Sequence, residues 1–68
     1  MTAWEAGVRA EELAESWVNG NRTWVADQVL KIRKRRDSVL LALLVYERLY
    51  DRSSAQDASG FITAIQSR

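Results

Sequence analysis

Apolar residues recur along most of the chain at intervals of three or four positions, which is the spacing of one face of an α-helix. In the first segment this spacing places six apolar side chains on one side: Ala6, Ala10, Leu13, Ala14, Trp17 and Val18. Thr2 and Glu5 stand at capping-box spacing just before that segment. The pattern predicts a first helix over about residues 3–18 with a polar outer face.

The tripeptide Asn19-Gly20-Asn21 separates the first two periodic segments. Glycine adopts the left-handed conformation that ends many helices, and Asn21 offers a side-chain cap to the next helix. Asn-Gly is also a hairpin signal, but the flanking residues do not alternate with a period of two. We therefore predict a helical turn here and a second helix over about residues 22–34.

The third helix is predicted over about residues 38–52, with Asp37 or Ser38 as its N-terminal cap. No glycine or proline separates it from the second helix. Because nothing in this stretch breaks a helix strongly, the sequence leaves open whether helices 2 and 3 form one continuous rod.

Ser54 and Asp57 repeat the capping-box spacing and predict a fourth helix over about residues 55–67. Its apolar side carries Ala55, Ala58, Phe61, Ile62 and Ile65. The four segments predict an all-α fold, a small four-helix arrangement packed around the hydrophobic third helix. We expect residues 1–68 to form a single domain.

The N-terminal half of the predicted third helix is apolar on every side. One broad face carries Val39, Ala42, Leu43, Val45, Tyr46, Leu49 and Tyr50. Leu40, Leu41 and Leu44 project from the other face. A helix that is apolar all round is covered by its neighbours or by another molecule. The sequence thus allows two interpretations: helices 1 and 4 cover these three leucines, or they form a docking patch for a protein partner or a second copy.

The chain has 68 residues and contains neither cysteine nor histidine. A core of this size supplies only about 3–5 kcal/mol, and small domains usually add disulfides, a metal or a partner subunit. Without cysteine or histidine the usual disulfide and metal supports are missing. This leaves unusually good helix packing or association with another chain, and of the two we expect association. The lack of cysteine also fits a reducing compartment.

The residues that carry most enzyme chemistry are missing from the sequence. There is no histidine for acid–base catalysis, and the three glycines are isolated, so no phosphate-binding loop is present. Glu11 and Glu15 lie one helical turn apart but lack the further ligands that a metal site needs. We predict a non-enzymatic protein without a cofactor, a metal or a small-molecule substrate.

No basic-then-apolar leader segment is visible at the start of the sequence. The longest uncharged apolar run, Val39 to Tyr46, is far shorter than the roughly 18 residues that read as a membrane span. We therefore predict a cytoplasmic location and no membrane partner.

Charge is unevenly distributed along the chain. Residues 1–20 contain four acidic residues and one basic residue, whereas residues 21–36 contain six basic residues and one acidic residue. In an antiparallel pair of helices 1 and 2, Glu5 and Glu12 are expected to face Lys31 and Arg35.

Residues 31–36, KIRKRR, form a basic segment whose cations are Lys31, Arg33, Lys34, Arg35 and Arg36. If the second helix continued through this segment, Arg33 and Arg36 would point towards its apolar side, where a charged side chain is costly to bury. We therefore expect the helix to end near Lys34, and Arg35 and Arg36 to lie in an exposed turn. Cations also suit the last turn of a helix. In the functional interpretation, the segment meets phosphates while Trp24 stacks on a base. Alternatively, Trp24 packs on Trp17 across the turn.

We predict a protein–protein interaction module: a small accessory, regulatory or inhibitor protein, of the kind carried by mobile elements. It would bind a macromolecular partner or associate with itself through helix 3. The alternative is a small nucleic-acid-binding protein that uses the basic segment. The net charge of only +1 makes that alternative weaker.

Overall fold

The computed structural model of the chain describes residues 1–67, and this part contains four α-helices and no strand. The helices are α1 (Ala3–Val18), α2 (Arg22–Leu30), α3 (Arg35–Arg52) and α4 (Ala55–Gln66). The all-α, four-helix prediction is confirmed.

The N-terminus of α1 has both hydrogen bonds of the predicted capping box. The Glu5 backbone N–H donates to the Thr2 hydroxyl at 3.1 Å, and the Thr2 backbone N–H donates to the Glu5 carboxylate at 3.0 Å. These bonds satisfy two backbone donors near the start of the helix. The short local spacing was therefore sufficient to predict where α1 begins.

The turn between α1 and α2 contains the predicted left-handed glycine, Gly20, with a φ of 100°. Asn21 stands at the N-cap of α2, but its side chain makes no capping hydrogen bond, so that part of the prediction is wrong. At the start of α4, the Ser54 hydroxyl accepts the Asp57 backbone N–H at 3.0 Å as predicted.

The boundary between α2 and α3 differs from the prediction. Helix α2 ends at Leu30 rather than near residue 34, and α3 begins at Arg35 rather than at residue 38, so the two are separate helices. Asp37 and Ser38 do not cap α3 because their side chains are used elsewhere. The Asp37 carboxylate lies 3.5 Å from the Met1 amino group, and the Ser38 hydroxyl donates to the Val29 carbonyl at 3.0 Å.

The core lies where α1 and α4 pack on α3, with α2 completing it beside α1 and α4. Its largest fully buried side chains are Phe61, Leu13, Leu41, Leu49, Val25, Val29 and Val45. The ring of Trp17 meets that of Phe61 edge to face, with centroids 5.6 Å apart. The predicted inner side of α1 is buried except for Val18, which is exposed.

Within residues 1–67, no helix combines the length and apolar character that a membrane crossing requires.

Candidate functional site

The three leucines predicted as a docking patch occupy different environments. Leu41 is only 1% exposed and belongs to the core, so it cannot form part of an exposed surface. Leu44 is half-buried and packs against the same core, and Leu40 is also half-buried. The reason is spacing: Leu41, Val45 and Leu49 recur every four residues and share the side of α3 that faces the other helices.

The uncovered apolar side of α3 is formed instead by residues that the sequence analysis placed on its broad inner face. Val39, Leu43 and Tyr50 are exposed, and Tyr46 lies half-buried between them. We call this surface the outer face of α3; it comprises Arg36, Val39, Leu43, Tyr46, Glu47, Tyr50 and Asp51. A hollow of about 510 Å³ on it is lined by Leu43, Tyr46, Glu47, Tyr50 and Asp51.

All five cations of the basic segment are exposed. None of them forms an ion pair with a residue in the described part of the chain. Lys31 caps the C-terminus of α2, Arg33 and Lys34 lie in the turn, and Arg35 and Arg36 open α3. The last two are therefore helical, which differs from the predicted basic turn.

The other arginines of residues 1–67 each have an acidic partner. Arg9 pairs with Glu12 at 3.1 Å, and Arg22 lies 3.9 Å from Asp57. Arg48 and Arg52 both pair with Glu11. The basic segment thus differs from these arginines in having positive charge that the fold leaves without a paired carboxylate.

Trp24 makes a cation–π contact with Arg9, and within residues 1–67 its ring does not form an aromatic pair with that of Trp17. Its ring is 45% exposed, and the guanidinium of Arg9 lies over it at 5.8 Å. The same guanidinium donates to the Gln28 side-chain oxygen at 2.8 Å. From Trp24 to Lys31, the rise of an α-helix alone amounts to roughly 10 Å. The shared surface predicted for Trp24 and the five cations stays a prediction.

The expected pairing of Glu5 and Glu12 with Lys31 and Arg35 does not form. Glu5 is used in the capping box, and Glu12 pairs with Arg9. The hydrogen bonds from the backbone and then the hydroxyl of Thr2 lower the pKa of the Glu5 carboxyl below its usual value. Lys31 lines the same groove as both glutamates without an ion pair to either.

That groove is the site that the sequence analysis missed. It has a volume of about 470 Å³ and lies between α1 and the C-terminal end of α2, and we call it the α1–α2 groove. Its residues are Met1, Trp4, Glu5, Val8, Arg9, Glu12, Gln28, Lys31, Ile32 and Leu41. At its edge, Trp4 is 77% exposed. The sequence does contain a signal for this groove: Trp4 and Val8 are two apolar residues one helical turn apart on the otherwise polar side of α1.

Within the described residues, no group of three or more acidic, histidine or cysteine side chains is arranged to hold a metal ion. These surfaces offer apolar burial in the groove and on the outer face of α3, and charge attraction at the basic segment. Comparison with protein-family models, with curated proteins and with solved structures found no match to this chain.

Proposed function

We propose that this chain is a non-enzymatic protein that binds a protein partner through the α1–α2 groove. The observation that carries the proposal is the 77% exposure of Trp4 at a groove lined by both apolar and charged residues. Large aromatic side chains dominate core and interface energetics, and tryptophan is enriched among the residues that contribute most to protein binding. An uncovered Trp4 beside Val8 therefore supports a binding role.

The chemistry of the groove describes the partner that fits it. Ile32, Trp4 and Val8 supply apolar contact in the groove, whereas Glu5 and Lys31 place opposite charges on its lining. The partner is a protein segment that inserts a large apolar side chain and leaves polar atoms at the charged rim. Such a protein regulates or inhibits by occupying a surface, with no chemical step. A cytoplasmic location belongs to the same proposal and rests on the absence of cysteine.

The proposal is tested by comparing Trp4→Ala with the matched variant Trp24→Ala. Both remove an exposed tryptophan, but Trp24 does not line the groove. A partner captured with the wild-type chain from the native host is purified and titrated against each variant. We expect Trp4→Ala to weaken binding by about 30-fold or more, the loss typical of a central interface residue, and Trp24→Ala to leave it unchanged.

Equal binding of the purified partner by both variants would exclude the groove as the contact surface. The fluorescence of Trp4, measured in a variant with Trp17 and Trp24 replaced by Phe, gives an independent readout. Its emission moves to shorter wavelength if the partner covers the indole.

A second function, nucleic-acid binding, is favoured by one observation: the cations of the basic segment lack ion-pair partners within residues 1–67, whereas the other arginines there are paired. Exposed cations that no carboxylate neutralises are available to phosphates, and their binding releases counterions from the nucleic acid. Arg33 and Lys34, in the turn, are the residues to test.

The test compares Arg33→Gln/Lys34→Gln with Arg22→Gln/Arg52→Gln, which removes equal charge from arginines that already have carboxylate partners. We expect the logarithm of the binding constant for duplex DNA to fall linearly with the logarithm of the salt concentration. Arg33→Gln/Lys34→Gln should reduce the magnitude of this slope by about 1–2, because two fewer cations then displace counterions. Identical slopes for the two variants, or no binding at low salt, would reject this function.

A further inference from the structure

We propose that the outer face of α3 is the interface of a symmetric dimer, in which α3 packs antiparallel against α3 of a second copy of this chain. The proposal goes beyond the proposed function, because the outer face uses none of the residues that line the α1–α2 groove.

The first observation is the spacing of the residues on this face. Arg36, Val39, Leu43, Tyr46 and Tyr50 follow one another at intervals of three and four, which is the a and d pattern of a two-stranded coiled coil. Leu43 is 59% exposed, and Val39 and Tyr50 are exposed to a similar extent. This heptad pattern forms a seam on the side of α3 that α1 and α4 leave uncovered. A further helix could therefore pack against it.

The second observation is a hollow on one half of the seam. The hollow of about 510 Å³ lies among Leu43, Tyr46 and Tyr50 in the C-terminal half. The N-terminal half presents Val39. In an antiparallel pair, Val39 of one copy lies opposite Tyr50 of the other, and Leu43 lies opposite Tyr46. Each aliphatic side chain therefore enters a space bordered by an aromatic ring, as a knob enters a hole.

The third observation is the charge on the same face. Arg36 lies at one end of the seam, and Glu47 and Asp51 lie towards the other end; none of the three forms an ion pair within residues 1–67. A two-fold rotation brings Arg36 of each copy to the acidic end of the other, so every attraction occurs twice. Because this one surface carries both the positive charge and the negative charges that would pair, a second copy of the chain fits it better than an unrelated partner does.

The oligomeric state is tested by sedimentation over a concentration series. We expect the wild-type chain to move from 7.8 kDa towards twice that mass as concentration rises. Leu43→Glu should abolish the dimer. Leu30→Glu, which changes an exposed leucine of α2, should dimerise like the wild type. Circular dichroism confirms that both variants remain helical. A wild-type monomer up to about 500 µM, a range that includes weak interfaces, would overturn the proposal.

Exchange of charges distinguishes this pairing from general apolar association. Arg36→Glu alone, or Glu47→Arg/Asp51→Arg alone, places like charges together at both ends and should weaken the dimer on the order of tenfold. The triple exchange restores opposite charges and should recover most of the affinity. If the triple variant dimerises as weakly as the combined losses of the separate variants predict, Arg36 does not meet the acidic end and the proposal fails.

The helix direction is tested by cross-linking, because the chain has no cysteine of its own. In the antiparallel pair, a mixture of Val39→Cys and Tyr50→Cys chains should form a mixed disulfide, and Val39→Cys alone should form little. Efficient cross-linking of Val39→Cys alone would show a parallel pair and overturn the arrangement proposed here.

Discussion

Leu41 and Leu43 lie two residues apart on α3 and on opposite sides of it: Leu41 is 1% exposed and Leu43 is 59% exposed. A rotation of about 200° over two helical positions produces this difference. Leu41 therefore contributes to the monomer core, whereas Leu43 is available to another molecule.

Alanine substitution at these two positions should separate the two roles. We expect Leu41→Ala to lower the free energy of unfolding by about 2–5 kcal/mol, since it removes buried methyl groups and leaves a cavity. Leu43→Ala should change it by about 0.5 kcal/mol or less in dilute protein, where no second copy covers the side chain. Urea denaturation followed by circular dichroism measures both. Equal losses would contradict the orientation of α3.

The contact between Phe61 and Trp17 connects α4 to α1. Phe61→Ala should lower the free energy of unfolding by about 3–5 kcal/mol, because it removes a fully buried ring. That loss is comparable with the whole stability of a chain of this size, about 3–10 kcal/mol, so we expect substantial unfolding. Trp17→Phe should cost much less: it keeps a ring there and removes an indole N–H that is buried without an acceptor among the described residues. Thermal unfolding of the two variants tests the order.

Gly60 and Gly20 should respond to alanine in opposite directions. A methyl group at Gly60 in α4 would lie 3.7 Å from Trp17 Cζ2, an ordinary contact, so Gly60→Ala should stabilise the chain by about 0.5–1 kcal/mol. Gly20 has open space around it but a φ of 100°, so Gly20→Ala should destabilise it by about 1–2 kcal/mol. Melting temperatures that move the same way in both variants would contradict this account.

The capping box at the start of α1 should make stability depend on pH. Folding lowers the pKa of the Glu5 carboxyl. The ionised carboxylate therefore contributes its full stabilisation above the usual pKa of glutamate, and this stabilisation is lost as the pH falls through the lowered pKa of the folded state. The difference in free energy of unfolding between the wild type and Glu5→Gln should therefore shrink on acidification. Thr2→Ala should lower the free energy of unfolding by about 0.5–2 kcal/mol but remove only the smaller part of this pH dependence, because the backbone N–H at position 2 can still donate to the Glu5 carboxylate. A difference that stays constant down to acidic pH would exclude the carboxylate as its source.

Local signals in the sequence were sufficient for the helices whose ends and faces are set by their own residues. The capping box of Thr2 and Glu5, the left-handed Gly20 and the Ser54 cap all concern groups within a few positions of each other. The one-sided apolar pattern of α1 likewise predicted its buried residues apart from Val18, because most residues on the opposite side are polar. These features predicted that the elements are helices and where α1 and α4 begin, but left open whether α2 and α3 are separate.

The tertiary structure decided the points at which local signals were balanced or absent. The N-terminal half of α3 is apolar on all sides, so its own pattern could not select the inner face, and packing against α1 and α4 buried Leu41 instead of Leu43. Helix α3 begins at Arg35, and the Ser38 hydroxyl donates to the Val29 carbonyl, nine positions away, instead of capping the helix. The α1–α2 groove combines residues from three helices. Local sequence signals determined that the chain is helical and where α1 and α4 begin, whereas packing between the helices determined which surfaces were left for other molecules.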